Sequence, residues 1–198
     1  MAIPPALTED GYEIQFGTNH LGHALLIKHL LPIMLKTAET YGDARIVSLS
    51  SLGFEFAPSG GIRFKDLQTK QDFAFGRWYR YGQSKLANIL YGSELAMHHP
   101  SISVAVVHPG VIKTDLVNTL GLADRMLLAV TNIGKIITPE QGVQNQLWAA
   151  TVNKNDLRSG AFYEPVGQPG RSTEYSRDRK LATELWDWTQ KQLEGHEV

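Results

Sequence analysis

Apolar positions recur at helical spacing from Ile14 through Leu21 and Leu25 to the run Leu30 to Met34, which gives one broad apolar face of the kind that packs on a core. Thr8, followed by Glu9 and Asp10, is an N-cap with acidic residues placed at the positive end of a helix dipole. The pattern therefore predicts a long helix from Thr8, with Pro32 marking a kink or a near end. The run ARIVSLSS at 44–51 is short, β-branched and without alternation, as in a strand covered on both faces. Residues 53–78 carry the Gly, Pro and Ser content of a long surface connection.

A second helix over about 79–98 follows from Leu86, Ile89, Leu90 and Leu95, with Pro100 beyond its end. ISVAVVHPG at 102–110 reads as a second buried strand stopped by Pro109 and Gly110. Thr138-Pro139-Glu140-Gln141 is a capping-box start for the helix GVQNQLWAAT. SGAFYEP at 159–165 predicts a third strand, and 177–193 a closing amphipathic helix. Strands alternating with helix-length crossovers predict an α/β domain, a parallel sheet flanked by helices, with no internal repeat and no linker dividing residues 1–198.

Composition narrows the function classes. Hydrophobic residues make up 42% of the 198 positions, enough for a sizeable core. Nineteen basic against twenty acidic residues leave a net charge of -1, which argues against nucleic acid or anionic lipid and for a small-molecule partner. The absence of cysteine excludes disulfides, thiolate catalysis and cysteine-based metal sites. The amino terminus has neither the basic nor the apolar region of a secretory signal. The most apolar later run, residues 126–137, is interrupted by Asn132, Gly134 and Lys135 and is shorter than the roughly 20 residues of a membrane span. A cytoplasmic chain without a membrane span is the expectation.

In YRYGQSK, residues 79–85, Tyr81 and Lys85 are four apart, which on a helix puts them on one face about 5 to 6 Å apart at Cβ. A free tyrosine titrates at about 10; a lysine held close stabilises the phenolate and brings it toward the range useful for proton transfer. Tyr79 finds only Gln83 at that spacing. Taken alone, the pair also reads as an ordinary exposed couple. His20 and His23 lack a third ligand at metal-site spacing, so no metal site is expected and both read as core or solvated histidines. His98 and His99 suit a helix C-terminus, and Trp186 and Trp188 read as packing.

Context changes the weight of that pair. YGQSKLANIL, preceded by ARIVSLSSLG and FKDLQ and followed by VAVVHPGVIKTDL, resembles the short-chain dehydrogenase/reductase family, in particular its retinol-dehydrogenase-like branch. QFGTNHLGHALLIKHLLP and TPEQGVQNQLWAA match that branch too, so the resemblance runs in order from about residue 3 to residue 165. It implies a doubly wound, Rossmann-type parallel sheet and an oxidoreductase that interconverts an alcohol and a carbonyl. Tyr81 would be the proton donor or acceptor, and Lys85 would lower its pKa and bond the nicotinamide ribose. Ser51, preferred to Ser50 because the family places its serine second in the pair, would orient the substrate oxygen. Asn19 would hold a water linking Lys85 to solvent. Val111, Ile112 and Thr114, after the turn at Pro109-Gly110, would contact the nicotinamide carboxamide. Residues 115–137 occupy the family's substrate-lid position, and their apolarity suggests a hydrophobic substrate.

The family's glycine-rich turn, Thr-Gly-x-x-x-Gly-x-Gly, is not in this sequence, nor is the Asn-Asn-Ala-Gly motif that lies upstream of stretches like IPPALTEDGYEIQFG. The expectation is a C-terminal part of the family fold, without about its first four strands and three helices, in which strand 44–50 forms a sheet edge. NADP is the first choice of cofactor and NAD the second, although the residues that discriminate them follow the family's second strand, which is not in this sequence. A fragment, a chain completed by another chain, and a natural truncation are the three readings. The last would act without cofactor, as an isomerase or lyase or as a metabolite- or partner-binding protein. A homodimer through the two long helices is suggested by the resemblance alone.

Overall fold

The computed structural model describes residues 1–112 and 136–196. The first helix, α1, runs in three parts: Ile14–Phe16, a π-helical turn at Gly17–Leu21, and Gly22–Tyr41. It starts later than the sequence pattern predicts. Thr8 instead closes a turn, its Oγ1 accepting from Tyr12 N at 3.1 Å while Gly11 adopts a φ of 84°, and Glu13 caps the helix by accepting from Phe16 N at 2.8 Å. Pro32 lies inside the helix without ending it; Gly42, left-handed at φ 80°, is the stop.

Strand β1, Arg45–Leu49, pairs in parallel with β2, Ser103–Val107, with Ile46 opposite Val104. The long helix α2, Gly76–His98, is the crossover between them. Two short strands, β3 at Val111–Ile112 and β4 at Ile136–Ile137, form a separate parallel pair. Helix α3, Pro139–Gly142, opens on the predicted capping box, with Thr138 Oγ1 accepting from Gln141 N and Gln141 Oε1 accepting from Thr138 N. Helix α4 follows at Gln144–Thr151. Strand β5, Ala161–Glu164, pairs in parallel with β2 and turns back into the short antiparallel β6, Gln168–Pro169. Helix α5, Arg179–Gln192, closes the chain behind an Asp178 cap.

The main sheet thus has the order β1-β2-β5-β6, three parallel strands and one antiparallel. Every residue of β2 is buried because both its faces are covered. Val104 and Val106 face a core built from Phe16 and Leu21 of α1, Leu86 and Leu90 of α2, and Leu185 of α5. Ala105 and Val107 face a smaller cluster with Ala149 of α4, Leu157 and Tyr163. Among the described residues no strand pairs with the outer edge of β1, where Leu49 is exposed. The connection 53–75 is less loop-like than its composition suggests: it holds 3-10 turns at Leu52–Phe56 and Phe64–Asp66 and buries Phe54, Ile62 and Leu67. Among the described residues no helix is long and apolar enough to cross a membrane.

Candidate active site

Parallel sheets of this type carry their ligand sites beyond the carboxyl ends of the strands, and that is where α1, the β1 terminus and α2 meet. Ser50 and Ser51 follow β1 directly and diverge. Ser50 is buried and its Oγ donates to the Lys85 carbonyl at 2.7 Å, tying the strand end to α2. Ser51 caps the 3-10 turn Leu52–Phe56, accepting from Gly53 N at 3.1 Å, and its side chain also hydrogen-bonds the Tyr81 phenol. The fold therefore commits Ser50 to structure and brings Ser51 to the tyrosine.

Tyr81 is 8% exposed, whereas Tyr79 is 39% exposed and packs on Phe73. Two glycines let the Tyr81 turn of α2 lie flat on the segment after β1. A Cβ on Gly53 would stand 2.5 Å from Tyr81 Cε1, and one on Gly82 would stand 2.5 Å from the Phe56 carbonyl carbon. Burial raises the Tyr81 pKa above its ordinary value, and the Ser51 bond only partly opposes that. This differs from the expectation that Lys85 lowers it. The Lys85 ammonium sits 5.9 Å from the Tyr81 ring centroid and donates to the Leu49 carbonyl at 3.3 Å, and burial brings Lys85 itself down to about 8.

Asn19 occupies the π-helical turn of α1, a type of insertion frequent at functional sites. Its Nδ2 donates to Ser84 Oγ at 3.0 Å, and Ser84 Oγ donates to the Tyr81 carbonyl at 2.8 Å. Asn88, one turn beyond Ser84, donates to the same Leu49 carbonyl as Lys85, at 2.9 Å. Asn19, Ser51, Tyr81 and Lys85 are therefore gathered from three segments into one site. Val111 and Ile112 stand half-buried in β3, after the Pro109-Gly110 turn. Thr114 and most of the 115–137 stretch lie outside the described residues.

Sequence reasoning missed Ser84, Asn88, Gly53 and Gly82. Ser84 stood inside the quoted YGQSK motif, and its place on the Asn19-facing side of α2 follows from helical spacing. Asn88 follows from Lys85 by less than a turn, but its target is a backbone carbonyl that no sequence pattern marks. Of the histidines, His20 is a core residue hydrogen-bonded to Thr189 at 2.9 Å, while His23 is exposed beside the Thr18 carbonyl. Trp186 stacks on His98, and Trp188 meets Phe16 edge-on.

A groove of about 460 Å³ runs from Lys85 and Asn88 along β1, walled by Leu26, Leu30 and Leu49. A larger depression, about 710 Å³, over the charged face of α5 shares no residue with this site. A nicotinamide cofactor fits in part. Lys85 offers an ammonium at the groove, and Tyr81 and β3 stand at the same end of the sheet, so the chain has donors for the nicotinamide-ribose portion. The glycine-rich cradle that a pyrophosphate needs at a helix N-terminus is not among these residues.

No protein-family model matches the chain. It is 34% identical over 212 residues to the short-chain dehydrogenase/reductase drtF of Aspergillus calidoustus, a match covering 100% of this chain and 67% of that protein. It is likewise 34% identical over 188 residues to retinol dehydrogenase 14 of Mus musculus, covering 93% of this chain and 53% of the relative. Among solved structures, a protein of Mycobacterium paratuberculosis superposes with a TM-score of 0.70 at 30% identity, over 96% of this chain and 62% of that one. The NADPH-bound carbonyl reductase from chicken fatty liver shares the fold, with a TM-score of 0.53 at 24% identity over 86% of this chain and 62% of that one. The chain thus spans between about half and two thirds of the proteins it matches. On the extent of the first of these likenesses, the chain belongs to the short-chain dehydrogenase/reductase family.

Proposed function

We propose that this chain carries the proton-transfer half of an oxidoreductase site that interconverts an alcohol and a carbonyl on a hydrophobic metabolite. The observation that carries the reading is the contact of Ser51 with the Tyr81 phenol, with Lys85 one helical turn away at the carboxyl end of a parallel sheet. Lys85 and Tyr81 would hold the nicotinamide ribose and β3 the carboxamide. When bound, the cofactor, NADP(H) or NAD(H), supplies or accepts the hydride.

In the reducing direction Tyr81 donates its phenolic proton to the carbonyl oxygen, and Ser51 Oγ hydrogen-bonds that oxygen as it gains negative charge. Burial keeps the phenol protonated, the form that direction requires. The Lys85 ammonium then stabilises the phenolate until it is reprotonated. Asn19, fixed to Ser84, stands where a water could pass that proton onward. An apolar substrate suits the surroundings. Phe56, half exposed, packs on Trp78 with ring centroids 5.7 Å apart, and Trp78 meets Tyr81 edge-on at 6.3 Å.

The test is loss of NADPH or NADH absorbance on mixing the purified chain with apolar aldehydes and ketones. Tyr81→Phe is expected to lower turnover by about 10² to 10⁴-fold, the usual worth of a positioned acid, with the fold intact by circular dichroism. An unchanged rate in Tyr81→Phe sinks the assignment. Binding of an apolar ketone with no cofactor oxidation would favour the cofactor-free reading.

A further inference from the structure

The residue before the tyrosine is a buried arginine that touches neither the Tyr81 ring nor the groove. Arg80 is 1% exposed. Its Nη1 donates to the Gln71 carbonyl and its Nη2 to the Ile3 carbonyl, both at 2.8 Å, and its Nε lies 3.2 Å from Oε1 of Glu13, which is 0% exposed. The other carboxylate oxygen of Glu13 caps the helix that carries Asn19. One ion pair thus links the first turn of α1, six residues before Asn19, to the turn of α2 immediately before Tyr81. The neighbouring Gln15 adds a parallel tie, its Nε2 donating to the Arg77 carbonyl at 3.1 Å.

A buried pair of this kind is weak evidence for stability. Desolvation offsets much of the attraction, and apolar replacements of both partners are often neutral. Gly76 marks how closely the guanidinium is enclosed, since a Cβ there would stand 2.8 Å from both Arg80 Nη1 and the Gln71 carbonyl oxygen. The pair's distinctive effect is geometric: it fixes the register of α1 against α2, and that register decides whether Asn19 meets Ser84 beneath Tyr81.

We propose that Arg80 and Glu13 are positioning residues that hold the Asn19 turn and the Tyr81 turn in their working register. This rests on the acid/base reading of Tyr81. The test uses the whole chain with isotope-labelled tyrosine and asparagine, the Tyr81 signal being assigned by its disappearance in Tyr81→Phe. In Arg80→Met the Tyr81 ring and Asn19 side-chain amide resonances are expected to shift together, and the unfolding midpoint to fall. In Glu13→Gln/Arg80→Met, which removes both charges but keeps an oxygen for the Phe16 amide, the midpoint is expected to recover while both resonances stay displaced. Recovery of stability without recovery of the site is a result that a merely structural role does not give. Wild-type resonances for Tyr81 and Asn19 in the double variant overturn the proposal. If Arg80→Met does not fold, Arg80→Lys, which keeps the charge but cannot reach both carbonyls, takes its place in the same comparison. Turnover retained by Tyr81→Phe would sink the redox reading and leave the measured coupling standing; unchanged spectra would sink the coupling alone.

Discussion

Asn19 and Ser84, 65 residues apart, share a side-chain hydrogen bond of 3.0 Å that joins the π-helical turn of α1 to the face of α2 beneath Tyr81. Asparagine is a poor helix former, and its presence here is explained by the partner it finds. Asn19→Leu keeps the size but leaves Ser84 Oγ without its donor. Turnover is expected to fall at least about tenfold, the equivalent of about 1.4 kcal/mol of transition-state stabilisation. Steady-state kinetics alongside urea unfolding check this; an equal loss in both would make Asn19 a structural residue only.

Ser50 and Ser51 are predicted to separate stability from activity. Ser50→Ala removes the bond to the Lys85 carbonyl that ties the strand end to α2, a net loss of about 0.5 to 1.5 kcal/mol, while the Tyr81 contact survives. Ser51→Ala is expected to reduce turnover by about 10² to 10³-fold, as for other donors to a developing oxyanion, far more than the roughly 1 kcal/mol of stability that losing its cap on Gly53 N costs. The reverse pattern would reassign the catalytic serine to Ser50.

Gly53→Ala places a methyl 2.5 Å from Tyr81 Cε1. The ring or the 3-10 turn has to move, at about 1 to 3 kcal/mol for an overpacked site, and proton transfer is expected to fall with it. A crystal structure of the variant would show a displaced Tyr81; an undisturbed ring with full activity would contradict the close packing described here.

Lys85 gives a pH signature. Burial lowers its pKa from 10.5 to about 8, so between those values the unfolded chain binds more protons than the folded one and stability rises with pH. The stability difference between wild type and Lys85→Met is therefore expected to shift in favour of the wild type from about pH 8 to pH 10.5. Unfolding midpoints for the two proteins across that window check it, and a flat difference means that Lys85 is well solvated.

How much of this was legible in the sequence depends on the kind of signal. Val104 to Val107 announced a strand buried on both faces because covering helices demand continuous apolarity, and Thr138 with Gln141 announced a helix start because the capping box is a local hydrogen-bond pattern. The candidate residues Asn19, Ser51, Tyr81 and Lys85 came from ordered motifs through the family resemblance, and the fold places them near one another. What stayed hidden depended on tertiary contact. Thr8 looked like the cap of α1, but the left-handed Gly11 diverts the chain and hands that role to Glu13. Nothing in YRYGQSK marks Arg80 as buried, because nothing local reveals a carboxylate 67 positions earlier. The direction of the Tyr81 shift was misread for the same reason: spacing gives proximity to Lys85, while burial, which dominates, comes from Gly53 and Gly82 admitting the backbone after β1.

His20 supplies the last test, one that bears on the scaffold beneath the site. It lies one residue past Asn19, is 1% exposed, and packs between Phe16 and Tyr91 while bonded to Thr189 of α5. Burial lowers its pKa from 6.5 to about 3. The folded chain therefore keeps it neutral where the unfolded chain protonates it, and stability that is fully present above pH 6.5 is lost progressively as pH falls toward 3. From pH 7 to pH 4.5 this one group is expected to remove about 2 to 3 kcal/mol. His20→Phe cannot take up that proton, so its stability should fall less over the same interval whatever its stability at pH 7. Because His20 and Asn19 share one helical turn, opening the His20 pocket in acid should also loosen the Asn19–Ser84 bond, and activity should decline with stability in the wild type but lag behind it in His20→Phe. Parallel acid profiles for the two proteins would show that His20 is already charged or solvated at neutral pH and that the turn beneath the site does not depend on it.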